Sequence, residues 1–136
     1  MYKKEIEYVD FNGTARKDTY YFNLTQAEIA EFENSKLGGL TNFVERIINA
    51  DDNVQLMKLF KELIMISYGE KSQDGRRFVK SEEASIAFTQ TQAYSELFVE
   101  LCTDSKFAAE FVNGVIAKVE KDPNQQSFAS AFSAVK

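Results

Sequence analysis

Thr19-Tyr20-Tyr21-Phe22-Asn23-Leu24-Thr25-Gln26-Ala27-Glu28-Ile29-Ala30-Glu31-Phe32 is the stretch in which the pattern of the chain changes period. Up to Leu24 the apolar residues alternate, with Tyr20, Phe22 and Leu24 on one face, which is the two-residue repeat of a half-buried strand. From Thr25 onward the spacing is helical, with Ile29 and Phe32 on one side. Thr25-Gln26-Ala27-Glu28 is a capping box: the threonine hydroxyl takes the amide three residues on, and the glutamate returns to the cap amide. A strand therefore runs straight into a helix here.

Working back from that junction, Glu5-Ile6-Glu7-Tyr8-Val9-Asp10-Phe11 is rich in strand formers, and Asn12-Gly13 supplies a turn that tolerates positive φ. The two runs form an N-terminal β-hairpin. The first run does not hold one parity, since Ile6 and Tyr8 fall on one face and Val9 and Phe11 on the other. A bulge, or burial of both faces, is the expectation.

Forward of the junction the chain reads as helices. Gly38-Gly39 punctuates, and Leu40, Phe43, Val44 and Ile47 define a second helix. Asp51 or Asp52 caps a third, carrying Leu56, Leu59, Phe60, Leu63, Ile64 and Ile66 and stopping at Gly69. Glu70 to Lys80 reads as a polar loop. Ser81 caps a fourth helix, Thr91 a fifth with Tyr94, Leu97, Phe98 and Leu101, and Asp104 a sixth with Phe107, Phe111, Val112 and Val115. Gly114 interrupts the sixth and is expected to end it early. The expectation is a mostly α chain: a compact bundle of five or six helices, the third and fifth central, with an N-terminal β-hairpin. Residues 1–121 form the domain. Residues 122–136 form a polar linker and a short amphipathic tail in which Phe128, Phe132 and Val135 share a face.

Composition limits the chemistry. The 136 residues carry a net charge of −5, with a pI near 4.8. That balance argues against nucleic-acid binding, which needs a phosphate-neutralising surface, and against docking on anionic membranes. Met1-Tyr2-Lys3-Lys4-Glu5 is followed by no apolar stretch, so no secretory leader is expected. The single cysteine, Cys102, excludes an internal disulfide, fits a reducing compartment, and reads as a buried structural thiol. With no histidine, the Ser-His-Asp, Cys-His and zincin arrangements are ruled out. The acidic pairs Asp51-Asp52 and Glu82-Glu83 sit at helix starts, where carboxylates suit the helix dipole. Glu70 to Ser81 resembles a calcium loop only until its last position, where serine stands in place of the bidentate carboxylate. No cofactor, no metal and no catalytic residue is expected.

Two features suggest protein binding. The hairpin leaves strand edges to be covered, and the tail has the spacing of a helix that lies in a groove. The candidate protein-binding residues are Phe128, Phe132 and Val135 in the tail and Arg76, Arg77 and Phe78 in the basic loop. The plainer reading of that loop is a solvated segment whose charges pair with nearby acidic helix ends.

Ordered segments also resemble a known family. Asp10-Phe11-Asn12-Gly13-Thr14, Tyr20 to Thr25, Phe60-Lys61-Glu62-Leu63-Ile64 and Ser67 to Ser72 are similar to siphophage tail assembly chaperones. So are Asp74-Gly75-Arg76-Arg77-Phe78-Val79-Lys80-Ser81, Phe88-Thr89-Gln90-Thr91, Ala93 to Phe98 and Phe111 to Gly114. The resemblance implies a non-catalytic protein of the infected bacterial cytoplasm, absent from the finished virion. Its partners would be the phage tape measure protein, which it keeps soluble, and the tail tube protein, whose subunits it helps to recruit. Self-association and a longer form made by translational frameshift also belong to that picture. The alternative is a minor connector, or tail completion, protein of the virion.

Overall fold

The computed structural model describes residues 1–36 and 38–116. The elements run β1 (Tyr2–Val9), β2 (Ala15–Phe22), α1 (Gln26–Asn34), α2 (Leu40–Asn49), α3 (Asn53–Ser67), β3 (Tyr68–Lys71), β4 (Phe78–Val79), α4 (Glu82–Thr89), α5 (Gln92–Thr103) and α6 (Ser105–Ile116). Helices predominate, but the hairpin is one half of a four-stranded antiparallel sheet, ordered β1-β2-β3-β4.

The hairpin is regular. β1 and β2 pair without interruption from Tyr2↔Phe22 to Val9↔Ala15. Even-numbered residues of β1 face the helices, and Ile6 is buried. Neither the bulge nor the two-sided burial expected from Val9 and Phe11 occurs: Val9 is 54 % exposed on the outer face and Phe11 77 % exposed in the turn. The turn is built by Asp10, whose carboxylate accepts from the amides of Asn12 and Thr14 (both 2.9 Å) and from Arg16 Nε. Gly13 takes the positive φ of +80° that the turn needs.

The segment 68–80 differs most from expectation. Helix α3 does not stop in a glycine cap; it passes at Tyr68, already extended at φ −65°, ψ 139°, directly into β3. Gly69 does not have positive φ. It is glycine because a Cβ there would lie 2.6 Å from the Phe78 ring and 2.9 Å from the Val79 carbonyl oxygen across the sheet. Gly114 likewise does not end α6. A Cβ on Gly114 would overlap Cδ1 of Tyr2 and stand 3.1 and 3.2 Å from Cε1 and Cγ. The glycine lets the sixth helix lie flat against the first strand.

The caps agree with the sequence. The Thr25–Glu28 box is complete, Asp52 rather than Asp51 caps α3, and Ser81 and Thr91 cap α4 and α5. Asp104 accepts from the Phe107 amide at 3.0 Å at the start of α6. The core is continuous: Phe22 and Leu24 from the strand–helix junction, Phe60, Leu63 and Ile64 from α3, Leu97 and Leu101 from α5, and Phe111 and Val112 from α6 are all nearly inaccessible. α6 thus shares the centre with α3 and α5. An aromatic cluster binds sheet to helices, with Tyr68 and Phe88 stacked at 4.5 Å, Tyr20 5.0 Å from Phe88, and Phe22 5.3 Å edge-on to Phe111.

Candidate interaction surface

Arg76 and Arg77 sit in the turn between β3 and β4, which closes on itself. The Ser72 amide donates to the Arg77 carbonyl and the Gly75 amide to the Ser72 carbonyl, both at 2.9 Å. The Asp74 carboxylate accepts from the Ser72 hydroxyl (2.7 Å) and the Arg76 amide (3.0 Å), which hold it below the usual carboxylate range. Gly75 takes the positive φ, +75°. Asp74 is therefore spent inside the turn, and both arginine side chains are exposed.

The basic residues of this segment divide into two groups. Lys80 donates to Glu28 (2.7 Å) and to the Ile66 carbonyl (3.1 Å), tying the first turn of α1 to the end of α3. Lys71 lies over the Tyr21 ring at 5.3 Å. Arg76 and Arg77 make no ion pair among the described residues. Pairing with acidic helix ends thus describes Lys80 and not the two arginines. Phe78 is half-buried on β4, in the space that Gly69 vacates. The three tail residues Phe128, Phe132 and Val135 lie outside the described residues, as does the 122–136 segment that carries them.

The structure adds a surface that the sequence reading did not select residue by residue. Among the described residues no strand covers the outer side of β2 beyond Tyr21, and β1 is an edge throughout. The far end of the hairpin carries the exposed Val9 and Phe11, together with Arg16 and Lys17. An open groove of about 440 Å³ follows β1 along α5, with Glu5, Glu7, Glu96 and Glu100 on its borders and Leu97 and Val99 in its wall. The signal in the sequence was the broken parity of Val9 and Phe11: both are apolar residues left facing solvent.

The chemistry-bearing groups have structural uses. Asp52 is a helix cap, and Glu82 and Glu83 lie in the first turn of α4. Asp51, at φ +55°, forms the turn between α2 and α3. Cys102 is exposed, not buried: Leu101 points into the core, and one residue further along the helix, about 100° round, reaches solvent. Partial desolvation raises its thiol pKa, so the protonated, weakly nucleophilic form prevails at neutral pH. Among the described residues no helix is long and apolar enough to cross a membrane, and no group of three metal-binding side chains converges.

Residues 1–131 match the model of a protein family described as phage tail assembly chaperone. Neither the curated proteins nor the solved structures compared gave a match.

Proposed function

We propose, from the premise that this chain belongs to the phage tail assembly chaperone family, that it binds the phage tape measure protein, keeps it soluble, and helps recruit tail tube subunits around it. It acts without catalysis, in the host bacterial cytoplasm, and leaves before the virion is complete. The family match over residues 1–131 carries this reading. The physical chemistry is compatible with it. A tape measure is a long helical chain with exposed apolar stripes, and many copies of a small protein with modest contacts add up along such a client. Arg76 and Arg77, free of ion pairs among the described residues, are proposed as contacts together with Phe78, half-buried beside them on β4. Phe128, Phe132 and Val135 are proposed as a second contact.

Co-expression with the longest helical, tape-measure-like protein encoded nearby tests the reading. The expected result is a soluble many-to-one complex on pull-down, with this chain missing from purified particles. An insoluble client beside a free chain would overturn it, and so would the chain's presence in the particles, which is the behaviour of a connector.

A further inference from the structure

The longest helix among the described residues, α3, keeps one face bare. It packs against α2, α4 and α5. A pitch of 3.6 residues per turn sets Val54, Met57, Lys58, Lys61 and Met65 within an arc of about 100°. Leu59, Phe60, Leu63 and Ile64 turn the other way, into the core. Val54 is 63 % and Met57 44 % exposed, Lys58 and Lys61 are exposed, and Met65 is half-buried. Met65 also lines an open groove of about 400 Å³ with Ile66, Ser81 and Ser85, where the Ser85 hydroxyl donates to the Met65 carbonyl at 2.8 Å. The bare face is therefore a stripe about 16 Å long, three turns of helix, that opens into a groove at its C-terminal end.

The stripe is positive at its centre. Lys58 and Lys61 make no ion pair among the described residues. The carboxylates around them are engaged: Glu62 by Lys36, Glu28 by Lys80, and Asp52 by the Gln55 amide that it caps at 3.1 Å. Asp51 precedes α3, and Glu82 borders the groove past Met65. Two unpaired cations thus stand at mid-length on a chain whose net charge is −5. Among the described residues no other helix exposes two large apolar side chains; α4 offers Ile86 and α5 Val99. The chain's own tail is no complement, since residues 127–136 hold no acidic side chain. Two copies meeting face to face about the middle of the stripe would set lysine on lysine.

We infer that this face of α3 docks an acidic amphipathic helix, whose apolar residues meet Val54, Met57 and Met65 and whose carboxylates, at mid-length, meet Lys58 and Lys61. The mode is a helix laid along an apolar seam, with anchors spaced three to four residues apart. Methionine suits such a surface, because its unbranched side chain adapts to successive apolar partners along one client. The lysine stems extend the apolar cover while their ammonium groups reach the incoming carboxylates. That charge pairing selects partners and fixes register more than it adds affinity. The inference rests on the chaperone reading for the source of the helix, the tape measure client, and adds the surface and the charge pattern by which it is taken.

Fluorescence anisotropy on the full chain tests it with two designed helical peptides. Both carry the same leucine stripe; one has glutamates and the other lysines on its central flanks. The wild type is expected to bind the glutamate peptide at least tenfold more tightly, against the sign of its own net charge. Val54→Gln/Met57→Gln should weaken that binding at least tenfold, and Lys58→Glu/Lys61→Glu should invert the preference between the peptides. No binding of the glutamate peptide, equal binding of both, an undiminished affinity in the glutamine variant, or an uninverted preference would overturn the inference. If circular dichroism shows the charge-reversed variant unfolded, Lys58→Gln/Lys61→Gln replaces it; loss of the preference supports the inference and an unchanged preference overturns it. Client pull-down separates the two readings. A client held equally by the wild type and by Val54→Gln/Met57→Gln overturns the α3 surface and leaves the chaperone reading standing. A client that the wild type fails to hold overturns the chaperone reading, and the peptide preference then decides the surface.

Discussion

Gly114→Ala sets two effects of opposite sign against each other. In an exposed helix the change stabilises by about 1 kcal/mol, because alanine has the better helix propensity. Here the new methyl overlaps the ring of Tyr2, with Cε1 and Cγ at 3.1 and 3.2 Å as well. Overpacking of this kind costs roughly 1–3 kcal/mol. Moving the ring also sacrifices its edge-on contact with Phe111, now 5.2 Å between centroids, worth about 0.5–1.5 kcal/mol. The clash wins, and the variant should be less stable by about 1–2 kcal/mol, a fall of roughly 3–8 °C in Tm for a chain of this size. Urea melts at neutral pH measure it. The decisive comparison is a double-mutant cycle. In a Tyr2→Ala background the obstruction is gone, and Gly114→Ala should stabilise by up to about 1 kcal/mol, reversing sign. If Gly114→Ala stabilised the wild type, or destabilised both backgrounds equally, the packing argument would be refuted.

Gly69→Ala should destabilise by about 1–3 kcal/mol, because the Val79 carbonyl oxygen, 2.9 Å from the new Cβ, is backbone and cannot swing aside as the Phe78 ring can; an unchanged urea midpoint would contradict this. Lys80→Met should weaken the fold at neutral pH by about 1 kcal/mol through loss of the bonds to Glu28 and Ile66. It should also flatten the acid limb. Partial burial pushes the Glu28 carboxyl up, but Lys80 and Thr25 outweigh it and hold the group below its ordinary 4.5. A depressed folded pKa gives stability that is present above the unfolded value and lost as pH falls through the folded one. Urea midpoints measured from pH 6 downward should therefore drop more steeply in the wild type than in Lys80→Met once pH passes below about 4.5. Cys102 should titrate with a thiol reagent in the native protein at one thiol per chain; reaction only after denaturant would return it to the core.

The sequence was most legible where local chemistry and period agree. The capping box at Thr25, the caps at Ser81 and Thr91, and the helical stripes of α3 and α5 are where the structure has them. β3 and β4 are not legible in the sequence, because short strands hold too few residues for alternation and Tyr68 continues an apolar helical run up to Gly69. The hint was Asp74-Gly75, a hairpin-turn dipeptide standing between Tyr68 and Phe78-Val79. Gly69 and Gly114 both look like local helix stops, yet each answers a packing partner on another element: Phe78 on β4 for Gly69 and Tyr2 on β1 for Gly114. Residue preference draws Cys102 inward, whereas its position on α5, one residue past buried Leu101, turns it to solvent. Of the candidate surface, Arg76 and Arg77 could be chosen from composition. Which stretches of the hairpin edges stay open depends on where α5 and β3 pack, which no local pattern encodes.

The packing of Tyr2 against Gly114 and Phe111 also orders events during synthesis. The hairpin is complete after 22 residues, yet the side of β1 that must be covered waits for α5 and α6, which end at Thr103 and Ile116. At the ribosome's roughly 5–20 residues per second, that cover arrives on the order of 5–20 s after β1 has been made. In that interval Tyr2, Ile6 and Phe22 lack the helices that bury them, beside unsatisfied strand edges. Nascent chains released early, or stalled before α6, would expose this surface to their neighbours on the same message. The yield of folded chain should therefore depend on the rate at which its last helices are translated.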